Sequence, residues 1–103
     1  MVYRMKTVAG KIILIENEKY EKLLLEVALQ HKGWDIEIEY FQNPNTAFKY
    51  LQETKDNIFI IICDMNMPGM NGLDLKKKID NDFDALRKAV PFIFLSTADK
   101  GAN

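Results

Sequence analysis

The sequence predicts an α/β domain with a doubly wound parallel sheet, on three observations. Short apolar runs recur at Lys11–Ile15 (KIILI), 57–63 (NIFIIIC) and 91–95 (PFIFL), a length that suits strands. Between them lie segments whose apolar residues recur at helical spacing, as over 18–32 and 73–79. Strands separated by helices are joined by crossovers, and right-handed crossovers lay them parallel with helices on both faces.

Taken in order, Lys11–Ile15 is a short, largely apolar run, as in a strand covered on both sides, and runs into Glu16-Asn17-Glu18. The spacing predicts a helix over 18–32 with Tyr20, Leu23, Leu24, Val27 and Ala28 on its inner side and Gly33 as its stop. Residues 34–41 (WDIEIEYF) change period: Trp34, Ile36, Ile38 and Tyr40 alternate with acids, which predicts a strand wet on one side near a sheet edge. Residues 42–45, with Pro44, read as a turn. A second helix is predicted over 46–54 from Ala47, Phe48, Tyr50 and Leu51. The 57–63 run is the most apolar and should be central. It delivers Asp64 into a loop at 65–72 that holds Pro68, Gly69 and Gly72. A third helix begins at 73–79, breaks near Asn81 and resumes through 85–89. The last strand, 91–95, ends in Ser96-Thr97.

A chain of 103 residues supports one core, so 1–103 is read as a single domain with 1–10 as an N-terminal extension. Apolar residues at 48% and charged residues at 28% are those of a globular protein. A net charge of −1 provides no field for nucleic acid or an anionic membrane, and Lys76-Lys77-Lys78 reads as a solvated helix face. No apolar run reaches membrane-spanning length and 1–10 lacks the apolar stretch of a signal peptide, so a cytoplasmic location is expected. Cys63 is the single cysteine, which excludes an intramolecular disulfide and a cysteine-based zinc site, and it reads as a small buried hydrophobe. His31, near a helix end, suits the helix dipole, and Trp34 reads as packing.

Open parallel sheets bind ligands beyond the carboxyl ends of their strands. Three strand ends here are polar: Glu16-Asn17-Glu18, Asp64 and Ser96-Thr97. The topology brings them to one mouth. Clustered acids repel and require a proton or a cation, and Mg²⁺ suits one or two carboxylates with carbonyl oxygens and water. Asp64 is then either a ligand alone or a nucleophile toward phosphorus, and the Ser96 hydroxyl could donate to a phosphoryl oxygen.

The segments KIILIENE, IIICDMNMPGMNGLDL and PFIFLST resemble the receiver domain of two-component response regulators, over nearly all of residues 11–98. The resemblance implies a flavodoxin-like sheet of order 2-1-3-4-5. It implies that Asp64 is phosphorylated, that Glu16 and Asn17 fall on the Mg²⁺-holding pair, that Asn66 offers a backbone carbonyl to the ion and that Ser96 is the switch hydroxyl. The implied donor is a phosphohistidine on a sensor histidine kinase or phosphotransfer protein, with the domain catalysing only its own phosphorylation and dephosphorylation. Two departures stand out. Asn17 replaces the usual coordinating aspartate, so the ion should bind more weakly, with Glu18 as a conceivable compensating acid. Nothing aligns with the family's fifth strand and its lysine, Lys100 being a poor substitute. The chain is therefore expected to be a fragment of a longer receiver cut after the fourth strand or, as the alternative, a naturally shortened one, order 2-1-3-4, lacking the last strand and two helices. That would bare 91–95 as an apolar edge, and a dimer or exchanged dimer through this strand is expected. Two other readings compete: a pseudo-receiver that only binds partners, and a haloacid-dehalogenase-like phosphatase, against which Asn66 stands where a second aspartate is required.

Overall fold

The computed structural model describes residues 6–7, 10–67, 69–83 and 89–95. In chain order the elements are β1 (Lys6–Thr7), β2 (Lys11–Ile15), α1 (Lys19–His31), β3 (Trp34–Asp35), β4 (Ile38–Phe41), α2 (Pro44–Glu53), β5 (Ile58–Asp64), α3 (Gly72–Asp82) and β6 (Phe92–Leu95). The main sheet is parallel throughout, in the order β4-β2-β5-β6. This is the 2-1-3-4 order expected of the four strands, with the most apolar run inside.

The alternating stretch 34–41 is not one strand. Trp34 and Asp35 pair with Lys6 and Thr7 in a separate two-stranded parallel sheet, which takes part of the expected N-terminal extension into the fold. The chain changes partner at 36–37, where the Ile12 N–H donates to the Glu37 carbonyl at 2.8 Å, and only Ile38–Phe41 enters the main sheet. All four residues of β4 are half-buried, so the expected wet and dry faces are not separated.

α2 starts two residues earlier than its apolar spacing indicates. The Asn43 side chain accepts from the N–H groups of Asn45 (2.7 Å) and Thr46 (3.4 Å), and Pro44 occupies the first helical position, where its missing N–H costs nothing. What reads as a turn is a capped helix start. α3 is capped likewise by Asn71, which accepts from the Asp74 N–H at 2.8 Å, and ends at the extended Phe83. The expected resumption over 85–89 lies outside the described residues except for Ala89.

One sheet face carries the core. Ile13, Ile15, Ile61 and Cys63 pack under Ala47, Phe48 and Leu51 of α2 and Leu75 and Ile79 of α3. Full burial of each such aliphatic side chain is worth about 1.5–3 kcal/mol. Ile58 joins them despite its even position because β5 is bulged at its start: Lys11 and Ile12 pair with Ile58 and Ile60, leaving Phe59 over.

The other face is covered by α1, rotated against expectation. Tyr20, Leu23, Leu24 and Val27, the expected inner side, are 64%, 54%, 46% and 55% exposed, Ala28 is exposed with them, and no residue of α1 is fully buried. Leu25 and Leu29 are half-buried instead. Both stripes are apolar, so periodicity alone does not choose between them. Between α1 and the sheet remains an apolar groove of about 240 Å³ lined by Leu14, Leu24, Leu25, Ile62 and Leu95 with Glu21 at one side.

Lys11 ties the amino end of the sheet. Its ammonium lies 3.0 Å from Asp56, 3.2 Å from Glu39 and 3.6 Å from Glu37, and donates to the Tyr50 hydroxyl at 2.9 Å. The Tyr50 bond, with Asp56 and Glu39 adding and burial opposing, holds its pKa above the lysine range, while Lys11 holds Asp56 below the carboxylate range. A depressed carboxylate adds stability above its unfolded pKa and loses it as pH falls through the folded value. Lys11→Met is expected to cost about 1 kcal/mol at neutral pH, since the acids are solvent-screened. In urea unfolding the gap to wild type should shrink below the normal carboxylate range and in high salt. A gap constant from pH 7 to pH 3 would assign the loss to packing.

Candidate functional site

β2 and β5 lie side by side with Ile15 opposite Cys63, so the next residues, Glu16 and Asp64, leave the sheet together at its carboxyl edge. Both are buried, at 0% and 3% exposure. Cys63 reports their proximity: its thiol is pushed up to about 12, first by burial and then by the charges of Asp64 and Glu16. It remains a protonated donor, to the Asp64 carbonyl at 3.3 Å.

The tip of β5 is fixed from three directions. The Asn66 N–H donates to Asp64 Oδ1 at 3.1 Å, the Met65 N–H to the Leu95 carbonyl at 3.0 Å, and the Gly72 N–H to the Met65 carbonyl at 3.1 Å. Gly72 opens α3 directly against the strand end. A Cβ there would lie 2.8 Å from the Asp64 carbonyl oxygen, so this approach requires glycine. Gly69, at φ +84°, supplies the left-handed residue in the loop between them.

The tip of β2 is fixed from β4. The Glu16 N–H donates to the Phe41 carbonyl at 3.0 Å, and the Tyr40 hydroxyl donates to the Glu16 carbonyl at 2.8 Å. The Glu18 N–H donates to Glu16 Oε2 at 3.2 Å, and Gln42 Nε2 reaches the Asn17 carbonyl at 3.4 Å. Burial, then the charge of Glu16, raises the Tyr40 phenol above its ordinary value, so it stays a donor.

Of the residues expected to form the site, Glu16, Asn17, Asp64 and Asn66 all lie at this edge. The Asn66 contact to Asp64 is through its N–H; the expected role of its carbonyl is a separate matter. Ser96 follows Leu95, which stands opposite Asp64, but Ser96 and Lys100 lie outside the described residues. Glu18 is exposed as the cap residue of α1, and His31 occupies the last turn of α1. Sequence reasoning missed Tyr40 and Gln42, whose relevance depends on the β2–β4 register.

The donor set suits a hard cation. Among the described residues no three His, Cys, Asp or Glu side chains form a metal cluster. The carboxylates of Glu16 and Asp64, with nearby amide and carbonyl oxygens, are donors of the kind Mg²⁺ takes.

Fold and site together define a flavodoxin-like α/β domain with an acidic mouth at the carboxyl edge of its sheet. The profile of the response regulator receiver domain matches residues 12–103, and the chain belongs to that family. It is 33% identical over 69 residues to "Response regulator ArlR" of Staphylococcus saprophyticus, covering 67% of this chain and 30% of that one. It is 29% identical over 87 residues to "Chemotaxis protein CheY1" of Helicobacter pylori, covering 84% and 67%. Among solved structures, the phosphorylated cyanobacterial phytochrome response regulator RcpA superposes with a TM-score of 0.75 at 25% identity, covering 88% of this chain and 67% of that one. The chain thus spans under a third of ArlR, and 10% of a putative two-component response regulator, ARR13, of Arabidopsis thaliana. No described helix is long and apolar enough to cross a membrane. Membership of the receiver family sets aside the phosphatase reading.

Proposed function

We propose that this receiver domain accepts a phosphoryl group on Asp64 from a phosphohistidine of a sensor histidine kinase or phosphotransfer protein, with Mg²⁺ held by Glu16, Asn17, Asp64 and the Asn66 carbonyl. The observation that carries this reading is the pair of buried carboxylates, Glu16 and Asp64, side by side at adjacent strand tips. Asp64 is the nucleophile: a carboxylate oxygen forms the bond to phosphorus as the bond to the donor nitrogen breaks. Mg²⁺, when bound, offsets the negative charge of the acids and of the incoming group. The Asn66 N–H holds Asp64 Oδ1, which orients the carboxylate. The Ser96 hydroxyl is assigned to the phosphoryl group by the family resemblance. The likeness to RcpA, solved in a phosphorylated form, supports the same reading. The domain acts on no separate substrate and works in the cytoplasm.

Intact mass after incubation with Mg²⁺ and a small-molecule phosphodonor tests this. One phosphoryl group is expected, lost on chelation. Asn17→Asp, which restores a negative ligand, should reach half its yield at about tenfold less Mg²⁺. No gain in either protein would favour the pseudo-receiver reading.

Association through β6 is part of the same proposal. It is the outer strand of the main sheet among the described residues, with Ile93 45% exposed, and an apolar outer strand favours pairing with a second copy. Light scattering behind size exclusion should give a dimer mass; a sharp monomer at micromolar concentration would remove this part.

A further inference from the structure

We propose that Tyr40 is a positioning residue for the cation: its hydroxyl, bound to the Glu16 carbonyl, holds the strand-to-helix turn from which Glu16 and Asn17 would reach the ion. This rests on the Mg²⁺ reading above and adds to it a residue outside the ligand set.

Among the hydrogen bonds that hold Glu16 are three of 3.2 Å or less. Two are made by backbone N–H groups, Glu16 to the Phe41 carbonyl and Glu18 to Glu16 Oε2, and these survive any side chain on β4. The third depends on one side chain. Tyr40 stands opposite Leu14, two residues before the tip, and its ring carries the hydroxyl forward to the Glu16 carbonyl at 2.8 Å. With the N–H and C=O of Glu16 both bound to β4, the main chain of the buried acid is fixed on both sides. β4 is the outer strand of the main sheet on this side, so among the described strands no further one braces the turn from beyond it.

The physical reason to fix it is electrostatic. Two neighbouring carboxylates are pushed apart until an ion sits between them, and a loose turn lets the Glu16 carboxylate swing away. Ordering that turn must then be charged against binding. A turn ordered beforehand removes that cost, as groups behind the ligands do in other metal sites. Tyr40→Phe keeps the ring and its packing and deletes only the hydroxyl. Gln42, exposed and 3.4 Å from the Asn17 carbonyl, is the weaker contact and serves as the comparison.

The experiment is calorimetric titration of Mg²⁺ into the metal-free full chain, wild type, Tyr40→Phe and Gln42→Ala, with each unfolding midpoint recorded in EDTA. Tyr40→Phe is expected to weaken binding about five- to tenfold, the effect of losing one well-made hydrogen bond behind a ligand. Its EDTA midpoint should fall by no more than about a few degrees, since the hydrogen bond is also made without the ion, and Gln42→Ala should change affinity by less than about twofold. Unchanged affinity in Tyr40→Phe would overturn the proposal. So would weaker binding accompanied by a larger fall in the EDTA midpoint, which would make Tyr40 structural. Absence of Mg²⁺ binding in the wild type would take down the metal reading and this proposal with it. That failure is distinguishable because it appears in the unaltered chain.

Discussion

Asp64→Asn is expected to take up no phosphoryl group under conditions that load the wild type, while keeping its fold. The two side chains are nearly the same size and shape, and the Oδ1 that accepts the Asn66 N–H at 3.1 Å is present in both. What differs is the electron pair. The carboxylate places a full negative charge on two oxygens, whereas the amide is neutral and its second position is an N–H₂ donor. On the proposed chemistry the variant therefore loses the nucleophile and a unit of attraction for the cation in one step. Removing one of two neighbouring buried acids also lessens their repulsion, so the unfolding midpoint should hold or rise. Uptake that persists in the variant would place the acceptor elsewhere. Lost uptake together with a collapsed midpoint would instead point to a structural role for Asp64.

The second large effect is at Gly72. A methyl group there would lie 2.8 Å from the Asp64 carbonyl oxygen, 3.3 Å from Met65 Cα and 3.2 Å from Phe94 Cδ1. The first two are backbone, so the helix start or the strand tip must shift. Overpacking of this kind costs roughly 1–3 kcal/mol. The better helix propensity of alanine returns at most about 1 kcal/mol, and less in a first turn. We expect Gly72→Ala to lose about 2 kcal/mol in urea unfolding and to load phosphoryl groups more slowly, because the displaced atoms belong to Asp64 and its neighbour. Gly69 separates the causes. A Cβ there meets nothing within 4 Å, so Gly69→Ala carries only the strain of its φ of +84°, about 1 kcal/mol. Equal losses at the two sites would show that crowding is not what matters at Gly72.

Much of this was legible in the residues because burial leaves a strong trace. A strand covered on both faces is a nearly continuous apolar run, and KIILI and NIFIIIC lie adjacent at the centre of the sheet. A lone acid at the end of such a strand marks the mouth, and Asp64 lies there beside Glu16. The illegible parts share a cause: each depends on a partner chosen by three-dimensional register. The α1 stripe of Tyr20, Leu23, Leu24 and Val27 was as good an inner face as that of Leu25 and Leu29, and periodicity does not choose between two apolar stripes. The division of 34–41 depends on Lys6 and Thr7, which nothing local announces. Tyr40 read as one apolar residue of an edge strand, since its hydroxyl finds Glu16 only through the pairing of Leu14 with Tyr40. The start of α2 is the exception. Asn43 before Pro44 is a helix-opening signal in the sequence itself, and reading Pro44 as a turn overlooked it.

The parallel ladders also govern how the chain reaches this structure. No strand of the main sheet joins a sequence neighbour by a hairpin: Ile12 pairs with Ile38, Ile15 with Cys63, and Ile61 with Phe92. Each pairing closes a long loop before any of its energy is returned, the circumstance in which folding is slow. β5 enters two of the three ladders. In chain order, β2 and β4 have only each other as partners in the main sheet before residues 58–64. The segment that ends in Asp64 is thus also the one whose arrival joins the outer strands of the main sheet through its centre.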